Sequence, residues 1–144
     1  MAHWLFKEEP ESYSFADLGR DGSTTWTGVT NTLAQKHLRA VKKGDLVFFY
    51  ATGKLKAVVG VMEVSGDPIP DPADATGKCV AVTVQAVRKL ASPVTLTAIK
   101  ADPAFVEWEL VRQARLSVMP VPDELWGSCL ISEADILSLG RIGY

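Results

Sequence analysis

Leu46-Val-Phe-Phe-Tyr50 and Ala57-Val-Val-Gly-Val-Met-Glu-Val64 are the two segments that decide the fold of this chain. The first is apolar throughout, which predicts a strand that is covered on both faces. The second also predicts a strand, and Gly60 within it indicates a bulge or a close approach of two backbones. Working outward from this pair, apolar patterns predict three more strands, at His3–Glu8, Lys78–Arg88 and Leu116–Val121.

Short helices are predicted between these strands. Ser14 and Asp17 form an S-x-x-D capping box, which predicts a first helix that ends at Gly19. Residues 32–41 carry apolar side chains at the spacing of one helical face, which predicts a second helix. A turn at Pro93 and a third helix capped by Thr95 are expected next. Two closing helices are predicted to begin at Asp123 and Ser132.

The order of these elements indicates the fold class. The strands do not alternate with long helices, which argues against a doubly wound sheet. About five strands with short helices between them predict an α+β fold, a small mixed β-barrel or curled sheet whose mouth is covered by helices. Asp67–Pro72 is expected to be a proline-rich surface loop. The length of 144 residues fits one domain, taken as residues 1–144.

Composition excludes several classes of protein. Hydrophobic residues make up 47% and charged residues 22%, as in an ordinary globular domain. The net charge of −2 argues against a protein that coats nucleic acid by charge alone, but it is compatible with a pocket for one nucleotide. The two cysteines and two histidines lack the spacing of a zinc site, so neither a metal nor another cofactor is expected.

The cellular location is also an expectation from composition. The N-terminal residues lack the apolar core of a signal peptide, and no apolar run approaches the roughly 20 residues of a membrane span. We therefore expect a cytoplasmic protein (nuclear if the source is a eukaryote) that has reduced cysteines and no membrane partner.

Ser23-Thr-Thr-Trp-Thr-Gly-Val-Thr-Asn31 carries the clearest functional signal. It neither alternates like a strand nor repeats like a helix, so we expect a loop. Trp26 offers a flat π surface, and Asn31 offers a hydrogen-bond donor and an acceptor. A planar heterocycle needs stacking on its face and hydrogen bonds at its edge, so this pair is a candidate base-binding site. The alternative is that Trp26 is a core residue and Asn31 caps the helix that follows.

Five other residues are candidates for the same site. Lys7 and Glu9 share one face if the first strand extends that far, and otherwise they form a solvated strand end. Tyr50, at the end of its strand, either presents its ring to a cleft or is a core residue. Arg112 and Arg115 share one face if they belong to a helical turn. Such a pair suits phosphates or base edges, and the alternative is two ordinary surface arginines.

Taken together, five separate motifs resemble those of the EVE domain family, a member of the PUA-like superfamily. They occur in the family's order and spacing and cover nearly the whole chain, from Trp4 to about Trp126. The matching motifs are Trp4-Leu-Phe-Lys-Glu-Glu-Pro-Glu-Ser-Tyr-Ser14, Thr25-Trp-Thr-Gly-Val-Thr-Asn31, Gly44-Asp-Leu-Val-Phe-Phe-Tyr50, Val87-Arg-Lys-Leu90 and Leu110-Val-Arg-Gln-Ala-Arg-Leu-Ser-Val118.

The resemblance implies a PUA-like β-barrel of five to six strands with short helices covering one rim. It also implies a pocket for a modified nucleobase, related to the pocket by which YTH domains read methylated adenine. On the matching positions, Trp26 and Tyr50 supply aromatic walls and Asn31 supplies edge hydrogen bonds. The rest of the implied lining is Lys7, Glu9 and Ser117, with Arg112 and Arg115 at the flanking phosphates.

Several positions depart from the family pattern. Glu8 stands where serine is usual in the first motif, and Ala51-Thr52 replaces His-Ser after the tyrosine. Ala114 replaces a common serine. Thr30 and Thr32 stand where an arginine and an aromatic residue flank the asparagine. The last two changes remove a cation and a ring, so the backbone contacts and the accepted base are expected to differ.

Three functions compete on these grounds. The first is non-enzymatic binding of a modified base in DNA or RNA, taken flipped or single-stranded, with no catalytic residue and no metal. The second is an amidohydrolase of acylated nucleosides, as among related ASCH proteins, using Lys7, Glu9 and Thr24 or Thr25. The third is a scaffold with a vestigial pocket. The motifs match EVE rather than ASCH, which favours the first function.

Overall fold

The computed structural model describes residues 2–122 of the chain, so the predicted closing helices and Trp126 lie outside the described residues. The described backbone forms a mixed β-sheet that curls into a half-barrel, with short helices packed against it. The predicted α+β class is therefore confirmed.

Within residues 2–122 the sheet has seven strands in the spatial order β2-β6-β4-β3-β1-β7, with β5 paired to β6. The strands are β1 (His3–Glu8), β2 (Ser23–Trp26), β3 (Leu46–Ala51), β4 (Ala57–Val64), β5 (Ile69–Pro70), β6 (Val80–Thr95) and β7 (Val118–Pro120). The helices are α1 (Phe15–Asp21), α2 (Thr32–Ala40), α3 (Leu96–Ala101) and α4 (Glu109–Arg112), with a 3₁₀ turn at Pro103–Phe105. None of these described helices has the length and apolar character required to cross a membrane.

Strands β1 and β3 are neighbours inside the sheet and run parallel. All six residues of β3 are buried, as its uniformly apolar sequence predicts. The register pairs Lys7 with Tyr50, which brings two candidate site residues together at the end of both strands.

Strand β6 is longer than predicted because it continues beyond a bulge. Its pairing with β4 passes from Gly60↔Lys89 directly to Val58↔Val94, so the four residues 90–93 of β6 stand opposite the single Val59 of β4. Pro93 falls among these residues, where a missing backbone N–H costs no ladder hydrogen bond. The predicted turn at Pro93 is therefore wrong, whereas the predicted cap at Thr95 is confirmed: its hydroxyl accepts a hydrogen bond from Ala98 N.

Two short strands and one helix end also differ from the sequence prediction. Residues 23–26, expected as a loop, form edge strand β2 because they find a partner in β6. Residues 69–70, expected as surface loop, pair as β5 with Val80 and Ala81, the first two residues of β6. Helix α1 begins at the predicted Ser14 box but passes Gly19 and ends at Asp21, where Gly22 follows with a φ of 82°, a positive value that glycine adopts readily.

A buried carboxylate fastens the start of β1 to the turn before β3. Asp45 is 6% exposed, and its Oδ2 accepts hydrogen bonds from the Trp4 indole Nε1 at 2.9 Å and from Lys42 N at 2.9 Å. Its Oδ1 accepts a third bond, from Ala2 N, at 3.2 Å. One side chain therefore satisfies three donors from two separate segments.

The bulge predicted at Gly60 is present, since the register shifts there, but the group that approaches Gly60 closely is a side chain and not a second backbone. A Cβ atom at this position would lie 2.4 Å from Cε1 of Phe15, whose ring packs edge-on against Phe49. We expect Gly60→Ala to lower the free energy of unfolding by about 2 kcal/mol, because the ring and helix α1 must shift to admit the methyl group. Urea denaturation followed by fluorescence measures this change.

Gly66 provides the matched control. A Cβ atom there meets no atom within 4 Å, and the backbone is not left-handed, so Gly66→Ala should change the stability by less than about 0.5 kcal/mol. Equal effects of the two substitutions would contradict the packing account. In a Phe15→Ala background, the cost of Gly60→Ala should largely disappear.

Candidate nucleic-acid interface

Four surface cavities adjoin on the described part of the protein. The lysine pocket, of about 240 Å³, is lined by Lys7, Lys56, Lys100, Tyr50 and Thr52 and by the apolar Leu96, Leu110, Val111 and Ala114. The hairpin cavity is lined by Glu9, Pro10, Glu11, Thr52, Gly53, Lys54 and Leu55. The asparagine cavity is lined by Asn31, Leu33, Gln113, Ala114, Arg115 and Leu116. The histidine cavity is lined by Leu33, His37, Glu107, Glu109, Arg112 and Gln113. Neighbouring cavities share lining residues, so the four form a continuous series.

The lysine pocket is built around Lys7 and Tyr50. The Lys7 ammonium donates a hydrogen bond to the carbonyl of Ala114 at 2.9 Å and lies 5.6 Å from the centroid of the Tyr50 ring, within cation–π range. Burial lowers the pKa of Lys7 and raises the pKa of Tyr50. Both shifts have one cause, because a partly dry site disfavours a charged lysine and a charged phenolate alike.

The other two lysines of the pocket come from the β3–β4 hairpin and from α3. The carbonyl of Lys56 accepts a hydrogen bond from Leu96 N at 2.8 Å, which attaches the hairpin to the first turn of α3. Leu96 and Lys100 lie one helical turn apart, so α3 presents both to the pocket.

The charge of the lysine pocket differs from that of the whole protein. Three lysines and no carboxylate are found among its described lining residues, although the chain has a net charge of −2. A cleft lined by one sign of charge concentrates its electrostatic potential. The pocket is therefore suited to an anion or to a ligand rich in hydrogen-bond acceptors, since an ammonium group donates hydrogen bonds but cannot accept them.

Trp26 lies in the core. Trp26 is 6% exposed, and the centroid of its ring lies 5.5 Å from that of Phe6 and 5.6 Å from that of Phe49. Trp26 does not occur among the described lining residues of any of the four cavities. This packing is that of a core tryptophan, which is the alternative that the sequence analysis gave for Trp26.

Asn31 caps the helix that follows it, which is the alternative that the sequence analysis gave for this residue. Its Oδ1 accepts a hydrogen bond from Ala34 N at 3.0 Å, which caps helix α2. The residue is exposed and lines the asparagine cavity beside Arg115. Its acceptor oxygen is already used by the helix, so the amide nitrogen is the group it can offer to a ligand.

The loop before Asn31 is held by a buried amide. Gln35 is 3% exposed, and its Nε2 donates to Val29 O at 2.6 Å and to Val80 O at 3.1 Å. Its Oε1 accepts from Val80 N at 2.9 Å. On the other side of the loop, Gly28 N donates to Asp71 Oδ2 at 2.8 Å. The two contacts fix this loop between α2 and β6.

Two of the predicted groupings are not present. Strand β1 ends at Glu8, so Glu9 does not share a strand face with Lys7, and it lines the hairpin cavity instead. Helix α4 ends at Arg112, so Arg112 and Arg115 do not share a helical face. Arg112 pairs with Glu107 in the histidine cavity, whereas Arg115 lines the asparagine cavity. Ser117 precedes β7, and its carbonyl accepts a hydrogen bond from Lys7 N.

The arrangement required for an amidohydrolase is also not assembled in one cavity. Lys7 and Glu9 line different cavities. Thr25 Oγ1 shares a hydrogen bond with Thr83 Oγ1 at 3.1 Å, and neither Thr24 nor Thr25 is among the described lining residues of the four cavities. Among residues 2–122, moreover, no cluster of three or more histidine, cysteine, aspartate or glutamate side chains is placed to hold a metal ion.

Lys56 and Lys100 are the site residues that the sequence did not indicate. Each is an exposed lysine between two apolar residues, and no pattern distinguishes it from other surface lysines. Only the contact between the hairpin and α3 brings them to one pocket.

Comparison with known proteins identifies the family. The model of the EVE domain matches residues 2–130. The chain belongs to the EVE domain family. The resemblance drawn from the five motifs is thereby confirmed, and with it the PUA-like fold.

Relatives and solved structures of EVE proteins extend this assignment. Human thymocyte nuclear protein 1 is 37% identical over a match that spans 49% of this chain and 36% of the human protein, so about a third of that relative's length is covered. The NMR structure of Rpa0253 from Rhodopseudomonas palustris has a TM-score of 0.84 and 37% identity, covering 100% of this chain and 97% of that one. A crystal structure of human THYN1 in complex with DNA containing 5-methylcytosine has a TM-score of 0.80 and 27% identity, covering 98% of each chain.

Proposed function

We propose that this EVE domain binds nucleic acid that carries a modified base and that the base enters the lysine pocket. The observation that carries the proposal is the lining of that pocket: three lysines, a tyrosine and a threonine beside an apolar wall, without a described carboxylate. The complex of human THYN1 with 5-methylcytosine-containing DNA supports a base of this class as the first ligand to test.

The pocket has the size and chemistry for one base. A cavity of about 240 Å³ is smaller than the roughly 300–1,000 Å³ of sites for drug-sized ligands. Leu96, Leu110 and Val111 form the apolar wall against which a base and its methyl group would pack. Lys7 covers one face of Tyr50, so stacking on that face requires the ammonium to move.

The cations divide into two roles in this proposal. Lys7 is half-buried and already directed by Ala114 O, so it contacts the acceptor edge of the base. Lys56 and Lys100 are exposed at the rim and contact the flanking phosphates. Arg115, on the far side of Ala114, extends the same track through the asparagine cavity.

The direct test is fluorescence anisotropy with short single-stranded oligonucleotides that carry one 5-methylcytosine or one cytosine. We expect tighter binding of the methylated strand, with the oligonucleotide recovered chemically unchanged. Lys100→Ala should weaken binding about 3- to 10-fold and reduce the slope of log K against log salt by about 0.7, because one phosphate contact is lost.

Lys36→Ala is the matched control, since Lys36 is an exposed lysine on α2 outside the described linings of the four cavities. It should leave the affinity within about twofold. If both lysine variants weaken binding equally, the lysine pocket is not the site. If methylated and unmethylated strands bind equally, the protein does not read this modification.

A further inference from the structure

The tip of the β3–β4 hairpin, residues 52–56, exposes an apolar side chain between two cations. Leu55 is 50% exposed and lies between Lys54 and Lys56 in the sequence. A single exposed leucine is common on protein surfaces. Whether Leu55 has a function depends on the conformation of the hairpin tip and on the cavities beside it.

The tip is held in a fixed and unusual conformation. Lys56 has a φ of 46°, and it is the one non-glycine residue with a positive φ in the described part of the chain. A side-chain-bearing residue keeps this conformation only where its surroundings impose it, and such positions often mark functional segments. Here Leu96 N bonds to the carbonyl of Lys56 at 2.8 Å, and Thr52 N bonds to the carbonyl of Glu8 at 3.0 Å.

The tip also separates two cavities. Lys56 lines the lysine pocket, Lys54 and Leu55 line the hairpin cavity, and Thr52 belongs to both. Leu55 therefore stands immediately beside the pocket that takes the base in the proposed function.

We infer that the hairpin tip inserts Leu55 into a double helix at the position vacated by the base that enters the lysine pocket. The inference rests on the proposed function and names its substrate as duplex nucleic acid. Turning a base out of a duplex costs unstacking, and an apolar side chain placed in the gap offsets part of that cost. Lys56, next to Leu55, meets a phosphate that borders the gap, whereas Lys54 lines the hairpin cavity together with Glu9 and Glu11.

The surrounding charges set the path of the backbone. Glu9 and Glu11 line the far side of the hairpin cavity and repel phosphates there. Lys7, Lys56 and Lys100 lie on the other side of the tip. The phosphate backbone of the strand that gives up its base therefore runs along the lysine side, with Leu55 directed into the stack.

The test compares a duplex and a single strand of the same sequence, each with one 5-methylcytosine, for the wild-type protein, Leu55→Ala and Val106→Ala. Val106 is a matched control because it is 58% exposed and outside the hairpin. We expect Leu55→Ala to weaken duplex binding about tenfold and single-strand binding less than twofold, and Val106→Ala to change neither. A 2-aminopurine placed beside the methylated base should brighten on binding of the wild-type protein and not of Leu55→Ala.

Each other outcome overturns the inference. Duplex binding unchanged in Leu55→Ala, or equal losses on duplex and single strand, removes the role of Leu55 while the proposed function stands. Leu55-dependent sedimentation with anionic phospholipid vesicles, together with unchanged duplex binding, assigns the tip to a lipid surface. Absence of binding of the wild-type protein to either oligonucleotide defeats the proposed function as well.

Discussion

Replacing Asp45 with alanine should lower the free energy of unfolding by about 4 kcal/mol. The substitution removes the acceptor of three hydrogen bonds and leaves the Trp4 indole N–H, Lys42 N and Ala2 N without it. Each buried donor left unsatisfied costs about 1–3 kcal/mol. A total of this size is a large part of the roughly 5–15 kcal/mol that stabilises an ordinary domain. Urea denaturation monitored by tryptophan fluorescence measures it.

Asp67→Ala is the control for this prediction. Asp67 is exposed and accepts one hydrogen bond, from Lys43 N at 3.1 Å, so its removal should cost less than about 1 kcal/mol. If Asp45→Ala is no more destabilising than Asp67→Ala, the buried carboxylate does not fasten β1 to the turn before β3.

Replacing Gln35 with alanine should lower the free energy of unfolding by about 3 kcal/mol. Its buried amide satisfies Val29 O, Val80 O and Val80 N, and alanine leaves all three without this partner. Because the loop before Asn31 loses its attachment to β6, hydrogen exchange of the amides in residues 28–31 should accelerate more than that of strand β3. Hydrogen exchange and urea denaturation test the two effects.

A second substitution at this position tests the direction of the hydrogen bonds. Gln35→Glu puts a carboxylate against two carbonyl oxygens, so at neutral pH it should be more destabilising than Gln35→Ala. Burial and this repulsion raise the pKa of the introduced carboxyl in the folded protein, so the variant should gain stability as the pH falls through that pKa. Lys36→Ala, on the exposed face of α2, should stay within about 0.5 kcal/mol of the wild-type protein at both pH values. A Gln35→Glu variant as stable as Gln35→Ala at neutral pH would contradict the bonding.

Local sequence patterns were sufficient to predict the strands and helices that have a strong periodicity. Strands β1 and β4 occupy the predicted residues. The Ser14–Asp17 capping box and the Thr95 cap begin helices α1 and α3 where the sequence predicts them. Strands β2 and β5 were not predicted because their residues have no strand pattern of their own. They become strands through β6, which is distant in sequence from β2 and follows β5 after a loop, and which supplies the backbone partners of both.

The candidate site was less predictable than the fold for a related reason. Residue type indicates what a side chain can do, but not which surface it faces. The ring of Trp26 is directed into the core by the pairing of β2 with β6, whereas Lys7 and Tyr50 meet through the parallel register of β1 and β3. Lys56 and Lys100 join them only through the contact between the hairpin and α3, which no local pattern encodes.

The position of β1 inside the sheet has a consequence for synthesis on the ribosome. Of the described strands β1 is made first, yet its two neighbours are β3, which begins at Leu46, and β7, which begins at Val118. The apolar segment Trp4-Leu-Phe of β1 therefore stays unpaired until β3 has left the ribosome. The edge of β1 that pairs with β7 stays open until almost all of the described chain has been translated. The first of the described strands to leave the ribosome is therefore among the last of them to be fully enclosed.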